Sequence, residues 1–253
     1  MTKIRRRLNK IECLKNENGE WIQDKQELAK LVFDFFANLY LHEASQYIDL
    51  MPKEAFPRLG QEYWLCLLRP FSIMDIHQAI FDMKPMQAPR PDGFQAIFYQ
   101  QAWRLVGKAL TKMVLSFYEN GSLPAAISES TVLLIPKVEK SEYVTQLRPI
   151  SLDNVSLKAI TKAMTSRFKA IMMKLVSPRQ SSFILGRQTA YNIFVVQEVM
   201  HSLRKKRGKR GGMVIKIDLE KAYDRLRWDF LRDTVVEVGL PSSWIQSIMF
   251  CVE

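Results

Sequence analysis

Met213-Val-Ile-Lys-Ile-Asp218-Leu-Glu-Lys-Ala-Tyr223-Asp-Arg-Leu-Arg-Trp228 changes character at Asp218. Before it, Met213, Val214, Ile215 and Ile217 are apolar and mostly β-branched, which predicts a buried strand over 213–217. After it, the run from Leu219 to Tyr223 permits a helix. A carboxylate closing a core strand is costly to bury unless something positive meets it. Two arrangements meet that requirement. A Mg²⁺ ion takes oxygen ligands and leaves places for substrate phosphates; alternatively, Asp218 caps the following helix. On this stretch alone the cap is the commoner arrangement.

The bulk composition narrows the partners. Of 253 residues, 47% are hydrophobic and 25% charged, which is ordinary for a folded domain with a substantial core. The net charge of +11 is not ordinary and favours a polyanionic partner, nucleic acid or an anionic membrane face. No apolar run reaches the length of a membrane span, and the basic start lacks a signal core, so no membrane is expected. A soluble intracellular protein is the expectation, in nucleus or cytoplasm. Cys13, Cys66 and Cys251 are widely spaced, and His42, His77 and His201 are scattered, so neither a disulfide framework nor a zinc site is suggested.

Along the chain, Asn16-Glu-Asn-Gly19 predicts a hairpin, and Asp24 has capping-box spacing to Glu27 ahead of a helix reaching Tyr40. Basic Lys3 to Arg7 precedes it. One short helix is expected around 61–68. Ser72 caps another, with Ile73, Ile76, Ile80 and Met83 inward. Pro85, Pro89, Pro91 and Gly93 make a stiff loop before a helical pair that stops at Asn120-Gly121. Ser130 to Pro136 reads as a strand, and Leu147 to Leu152 as its return, forming a protruding finger. Asp153 or Asn154 caps a long helix to Leu175, with Leu157, Ile160, Met164, Phe168, Ile171 and Leu175 inward. Lys158, Lys162, Arg167, Lys169 and Lys174 are then expected outward. A helix from Thr189 to Lys205 turns Ile193, Val196 and Met200 inward, and two further helices follow Trp228 and Pro241.

Lys-Ile-Asp218-Leu-Glu-Lys221-Ala-Tyr223-Asp224-Arg225 with Trp228-x-Phe-Leu231 resembles motif A of reverse transcriptases, most closely the LINE-type, non-LTR retrotransposon enzymes of plants. Other segments fit the same family in order. Lys84-Pro-Met-Gln-Ala-Pro-Arg90-Pro-Asp-Gly93 is similar to its Lys-Ala-Pro-Gly-Pro-Asp-Gly signature, with Arg90 in place of glycine, a source of strain if that position needs positive φ. Ile135-Pro-Lys137 and Arg148-Pro-Ile-Ser-Leu152 resemble its motifs 1 and 2. Gln180-Ser-Ser-Phe183 with Gly186-Arg187 is similar to its template-path segment. Tyr191 stands where the family usually has an acid.

The resemblance implies an α+β, mostly helical fold: a partial polymerase right hand of fingers plus an incomplete palm. Residues 1–70 would be an N-terminal extension, 71–212 the fingers and 213–253 the start of the palm. It also implies RNA-templated DNA synthesis on an RNA template with a DNA primer or RNA–DNA hybrid, using dNTP and Mg²⁺. Asp218 would hold the catalytic metals, Lys137 and Arg148 the triphosphate, and Tyr223 would sit beneath the sugar. Gln180 and Arg187, with Lys205 and Arg207 of the basic loop, would contact nucleic acid. The family's aromatic-x-Asp-Asp motif is absent from these residues, so the chain is expected to be truncated before it and inactive alone. The alternative is a non-catalytic, basic nucleic-acid-binding module. A phosphate contact by the loop from Arg204 to Arg210 and a solvated loop are equally expected.

Overall fold

The computed structural model describes residues 9–40, 56–88, 90–206, 212–219 and 221–252. The Lys3 to Arg7 cluster and Arg207 lie outside them. The chain opens with a minimal hairpin, β1 (Leu14–Lys15) and β2 (Trp21–Ile22), closed by Asn16, whose side-chain oxygen accepts from the Asn18 and Glu20 N–H groups. Helix α1 (Lys25–Tyr40) is capped by Asp24, which accepts from the Gln26 and Glu27 N–H groups, as the spacing predicts. Then come α2 (Gln61–Leu68), α3 (Ile73–Phe81), α4 (Ala96–Gln101), α5 (Trp103–Asn120) and the single turn α6 (Ala125–Ser128). Strands β3 (Ser130–Pro136) and β4 (Leu147–Asp153) pair antiparallel, and α7 (Val155–Leu175), α8 (Thr189–Lys205), α9 (Trp228–Glu237) and α10 (Ser242–Val252) complete the order. The fold is helix-rich with two small sheets, in keeping with a partial α+β polymerase domain.

Two apolar clusters hold these elements. In the larger, Ile76 and Ile80 of α3 meet Ala159, Ile160 and Ala163 of α7, with Leu110, Val114 and Phe117 of α5 alongside. Residues from α9 and α10 close this cluster, and the buried Trp244 indole donates to the Leu67 carbonyl at 3.0 Å. The smaller cluster joins Leu14, Phe36, Val144 and Leu147, so the N-terminal module sits against the tip of the β3–β4 finger. Where α5 ends, Gly121 takes a left-handed φ of 69° that a side chain would strain.

Several expectations need correction. No strand forms over 213–217: the segment is irregular, and Met213, Ile215 and Ile217 are 70–80% exposed. A strand requires a neighbour for its backbone groups, and no described segment pairs with it. The run after Asp218 is a single turn at 221–225 rather than a helix. In α8 no residue is buried; Ile193, Val196 and Met200 are exposed because nothing among the described residues covers that face. Ile73 is exposed too, since the phase of α3 is set by Ile76 and Ile80. Arg167 is not on the solvated face of α7 but buried beneath Asp75 and Phe71.

Arg90 departs from expectation in another way. Its φ is not positive; in that loop the left-handed residue is Gly93, at 77°. The guanidinium is instead 8% exposed, donating to the Gln87 side chain with Nη1 left without a partner. Burial first, and then this guanidinium, push the Lys158 ammonium below the ordinary lysine pKa. A buried N–H without an acceptor costs about 1–3 kcal/mol. Arg90→Met should therefore raise the unfolding free energy measured in urea by about 1 kcal/mol, and Lys158 should titrate closer to free lysine by NMR. Unchanged values for both would show that the guanidinium is satisfied.

Candidate nucleotide and nucleic-acid site

The β3–β4 finger places two of the expected phosphate ligands. Register pairs Ile135 with Arg148, and the Lys137 N–H continues the ladder to the Gln146 carbonyl at 2.8 Å. Side chains two apart on a strand share a face. Lys137 and Arg148 therefore lie diagonally across one face of the ribbon. Both are exposed, and neither forms an ion pair among the described residues. The Lys137 ammonium reaches only the Thr145 carbonyl, at 3.4 Å. An ammonium and a guanidinium on one face of a ribbon, with no ion-pair partner among the described residues, suit a bound polyphosphate.

Asp218 and Tyr223 sit on the segment that leads into α9. Asp218 is exposed and caps no helix, so the simpler of its two readings is not realised. Tyr223 is exposed as well, on the turn at 221–225. That turn is anchored on α1. The Lys221 ammonium lies 4.3 Å from the Phe35 ring centre and 5.4 Å from that of Phe36, and the Tyr40 hydroxyl donates to Asp224 at 3.3 Å. Lys221 adopts a φ of 52°, unusual for a residue with a side chain, which the packing on α1 must hold in place. Burial, and then the Asp224 carboxylate, raise the Tyr40 pKa.

Helix α1 thus stands between the motif-bearing turn and the finger. A groove of about 680 Å³ runs there, lined among others by Lys15, Asp34, Phe35, Tyr143, Thr145 and Arg225. Thr145 is the residue whose carbonyl meets Lys137, so the finger's cation adjoins this groove. Lys15 is engaged already. Its ammonium donates to Glu142 at 2.6 Å and lies 4.7 Å from the Trp21 ring, and the Glu142 hydrogen bond raises its pKa.

The proposed nucleic-acid contacts are placed less uniformly. Arg187 donates to the carbonyls of Ser177 and Gln180, both at 2.6 Å, and to those of Met173 and Val176 near the end of α7. Its guanidinium therefore stitches a loop to orphaned helix carbonyls. Gln180 is exposed and donates to the Ser182 carbonyl at 3.2 Å. Lys205, exposed, ends α8. Near Gln180, Phe183 is 91% exposed with a left-handed φ of 65°.

No three His, Cys, Asp or Glu side chains come together among the described residues as a metal site. Asp218 offers one carboxylate, and Asp224 is occupied by Tyr40. These donors do not make up the oxygen shell of a dication, still less of two. No helix among the described residues is long and apolar enough to cross a membrane. A row of cations on α5, Arg104, Lys108 and Lys112, was also legible as a four-residue repeat, although no motif draws attention to it.

Comparison with known proteins follows the same stretch of chain. Residues 135–253 match the family described as reverse transcriptase (RNA-dependent DNA polymerase). The chain is 25% identical over 239 residues to the "Transposon TX1 uncharacterized 149 kDa protein" of Xenopus laevis, covering 89% of this chain and 17% of that protein. It is 23% identical over 184 residues to the "Retrovirus-related Pol polyprotein from type-1 retrotransposable element R2" of Nasonia vitripennis, covering 73% of this chain and 17% of that one. The corresponding type-2 element R2DM protein of Drosophila melanogaster is 24% identical over 161 residues, 64% of this chain and 15% of its own. The chain thus spans about a sixth of the length of these relatives.

Proposed function

From the premise that this chain carries a reverse transcriptase domain of a LINE-type, non-LTR element, we propose that it forms the nucleotide-gripping part of an RNA-directed DNA polymerase. In this reading residues 71–212 are fingers and 213–253 open the palm, with 1–70 as an N-terminal extension whose helix α1 touches the finger and the turn at 221–225. Lys137 and Arg148 hold the triphosphate of a dNTP, where cations stabilise charge that develops as the phosphoryl group transfers. Asp218 would be one of the several carboxylates that Mg²⁺, the ion this family uses, requires, and Tyr223 would lie under the sugar. Gln180, Lys205 and Arg207 contact an RNA template and its primer, and Arg187, whose guanidinium is taken up by four backbone carbonyls, holds the loop that carries Gln180. The element is of the plant kind on the likeness of its motifs.

The observation that carries this reading is the pair of uncompensated cations on one face of the finger, next to the groove floored by α1. A labelled dNTP should bind the 253-residue polypeptide, and Lys137→Ala and Arg148→Ala should each weaken that binding about tenfold or more, the scale of a charge-assisted hydrogen bond. Unaltered affinity in both variants would overturn the assignment.

The polypeptide alone should not extend a primer. Among the described residues no carboxylates join Asp218 in a metal site, and the sequence contains no Asp-Asp pair. Primer extension abolished by Asp218→Ala would contradict that. The second reading, a basic module that binds nucleic acid without chemistry, rests on the +11 charge. It predicts strongly salt-dependent binding with no dNTP affinity.

A further inference from the structure

A second groove, about 730 Å³ in volume, runs between α3 and α5. Ile73 stands on one side, and a single stripe of α5 forms the other. Arg104, Lys108 and Lys112 recur along that stripe at every fourth position, so they climb it in steps of about 6 Å. All three are exposed, and none forms an ion pair among the described residues. Glu119, at the far end, is the only carboxylate in the lining. Like charges at this spacing on a helix repel one another.

The groove also has an aromatic wall: the Trp103 indole lies across Gly107, where a Cβ would come within 2.7 Å of the ring. Glycine at that position lets the indole lie flat against the helix backbone. The His77 and Phe81 rings meet the indole edge-on at 5.0 and 6.0 Å, which holds its orientation.

We propose that this groove binds a single strand of nucleic acid, with consecutive phosphates on Arg104, Lys108 and Lys112 and an unpaired base against the Trp103 indole. The row of cations fits the step between successive phosphates of a stretched strand. A free phosphate would occupy one cation and leave two uncompensated. An aromatic platform beside a basic track is the arrangement that takes unstacked bases. The site is separate from the finger and from Asp218, and stands whether or not the polymerase reading does.

The test measures binding of a labelled oligouridylate to the full chain as a function of salt. Each phosphate contact on a single strand contributes about 0.7 to the slope of log K against log salt. Replacing Arg104, Lys108 and Lys112 together with Gln should flatten the slope by about 2. A strand containing 4-thiouridine should crosslink to the peptide carrying Trp103. Lys137→Ala, Arg148→Ala and Asp218→Ala should leave both results in place, which separates this site from the nucleotide site. An unchanged slope in the Gln variant, or crosslinks confined to other peptides, overturns the proposal. So does complete displacement by inorganic phosphate, which would make the groove a free-phosphate site.

Discussion

Arg167→Ala should destabilise the protein by about 3 kcal/mol, the cost of taking a charged donor from two backbone carbonyls and from one oxygen of a half-buried carboxylate. The guanidinium is 7% exposed, donates to Asp75 at 2.9 Å and to the Pro70 carbonyl at 2.8 Å, and also reaches the Arg69 carbonyl. Its Cζ lies 3.6 Å from the Phe71 ring centre. One side chain from α7 thereby ties down the turn that starts α3, where Ser72 and Asp75 form a reciprocal cap. Lysine cannot reproduce this fork, so Arg167→Lys should recover only part of the loss. Thermal melting should show a fall on the order of 10 °C for the alanine variant. A fall of a degree or two would mean that Arg69, which donates to the other Asp75 oxygen at 2.8 Å, holds the turn by itself.

The same cluster sets an acid limit. Burial alone would raise the Asp75 pKa, but the Ser72 N–H and hydroxyl and the Arg167 guanidinium outweigh it and hold the carboxyl below its ordinary range. A carboxyl depressed on folding contributes stability above its unfolded pKa of about 3.9 and loses it as pH falls through the folded value. Urea midpoints measured from about pH 5 to about pH 2 should fall steeply in the parent protein. In Arg167→Ala they should fall less.

Phe117→Ala should cost a comparable amount, about 3–5 kcal/mol. Phe117 has no exposed surface, and its ring centre lies 5.0 Å from that of Phe250 in α10. The cavity would open between α5 and α10, beneath the helices that follow the turn at 221–225. Amide hydrogen exchange in α10 should therefore accelerate more than in α3, which is held by α7. Phe33→Ala, at a residue 71% exposed, should stay within about 0.5 kcal/mol of the parent. Equal losses in the two variants would contradict the assignment of Phe117 to the core.

These effects follow the division between local and distant causes. Within one segment, the sequence by itself determined most elements. The Asp24 cap, the Ser72 start of α3, the stop at Gly121, the β3–β4 finger and the span of α8 were all legible, because caps, turns and periodicity act over a few residues. The finger even carried its chemistry in sequence: the register that puts Lys137 and Arg148 on one face follows from where the strands begin and end. The ordered likeness to reverse transcriptases was legible for the same reason, since each motif is short and contiguous.

Only the tertiary structure decided what each element touches. Met213 to Ile217 has the composition of a strand, yet a strand is a property of two segments, and no described segment pairs with this one. The apolar positions of α8 were periodic and still lie exposed, whereas Arg167, a cation on a helix rich in cations, went inside because Asp75 and Phe71 met it there. Periodicity can say that a face is apolar but not whether something covers it. Likewise no local pattern could show that Asp218 would cap nothing, or that the turn after it would rest on α1 through Lys221 and Asp224. Those contacts join residues far apart in the chain, and their free energy exists only once the fold has brought them together.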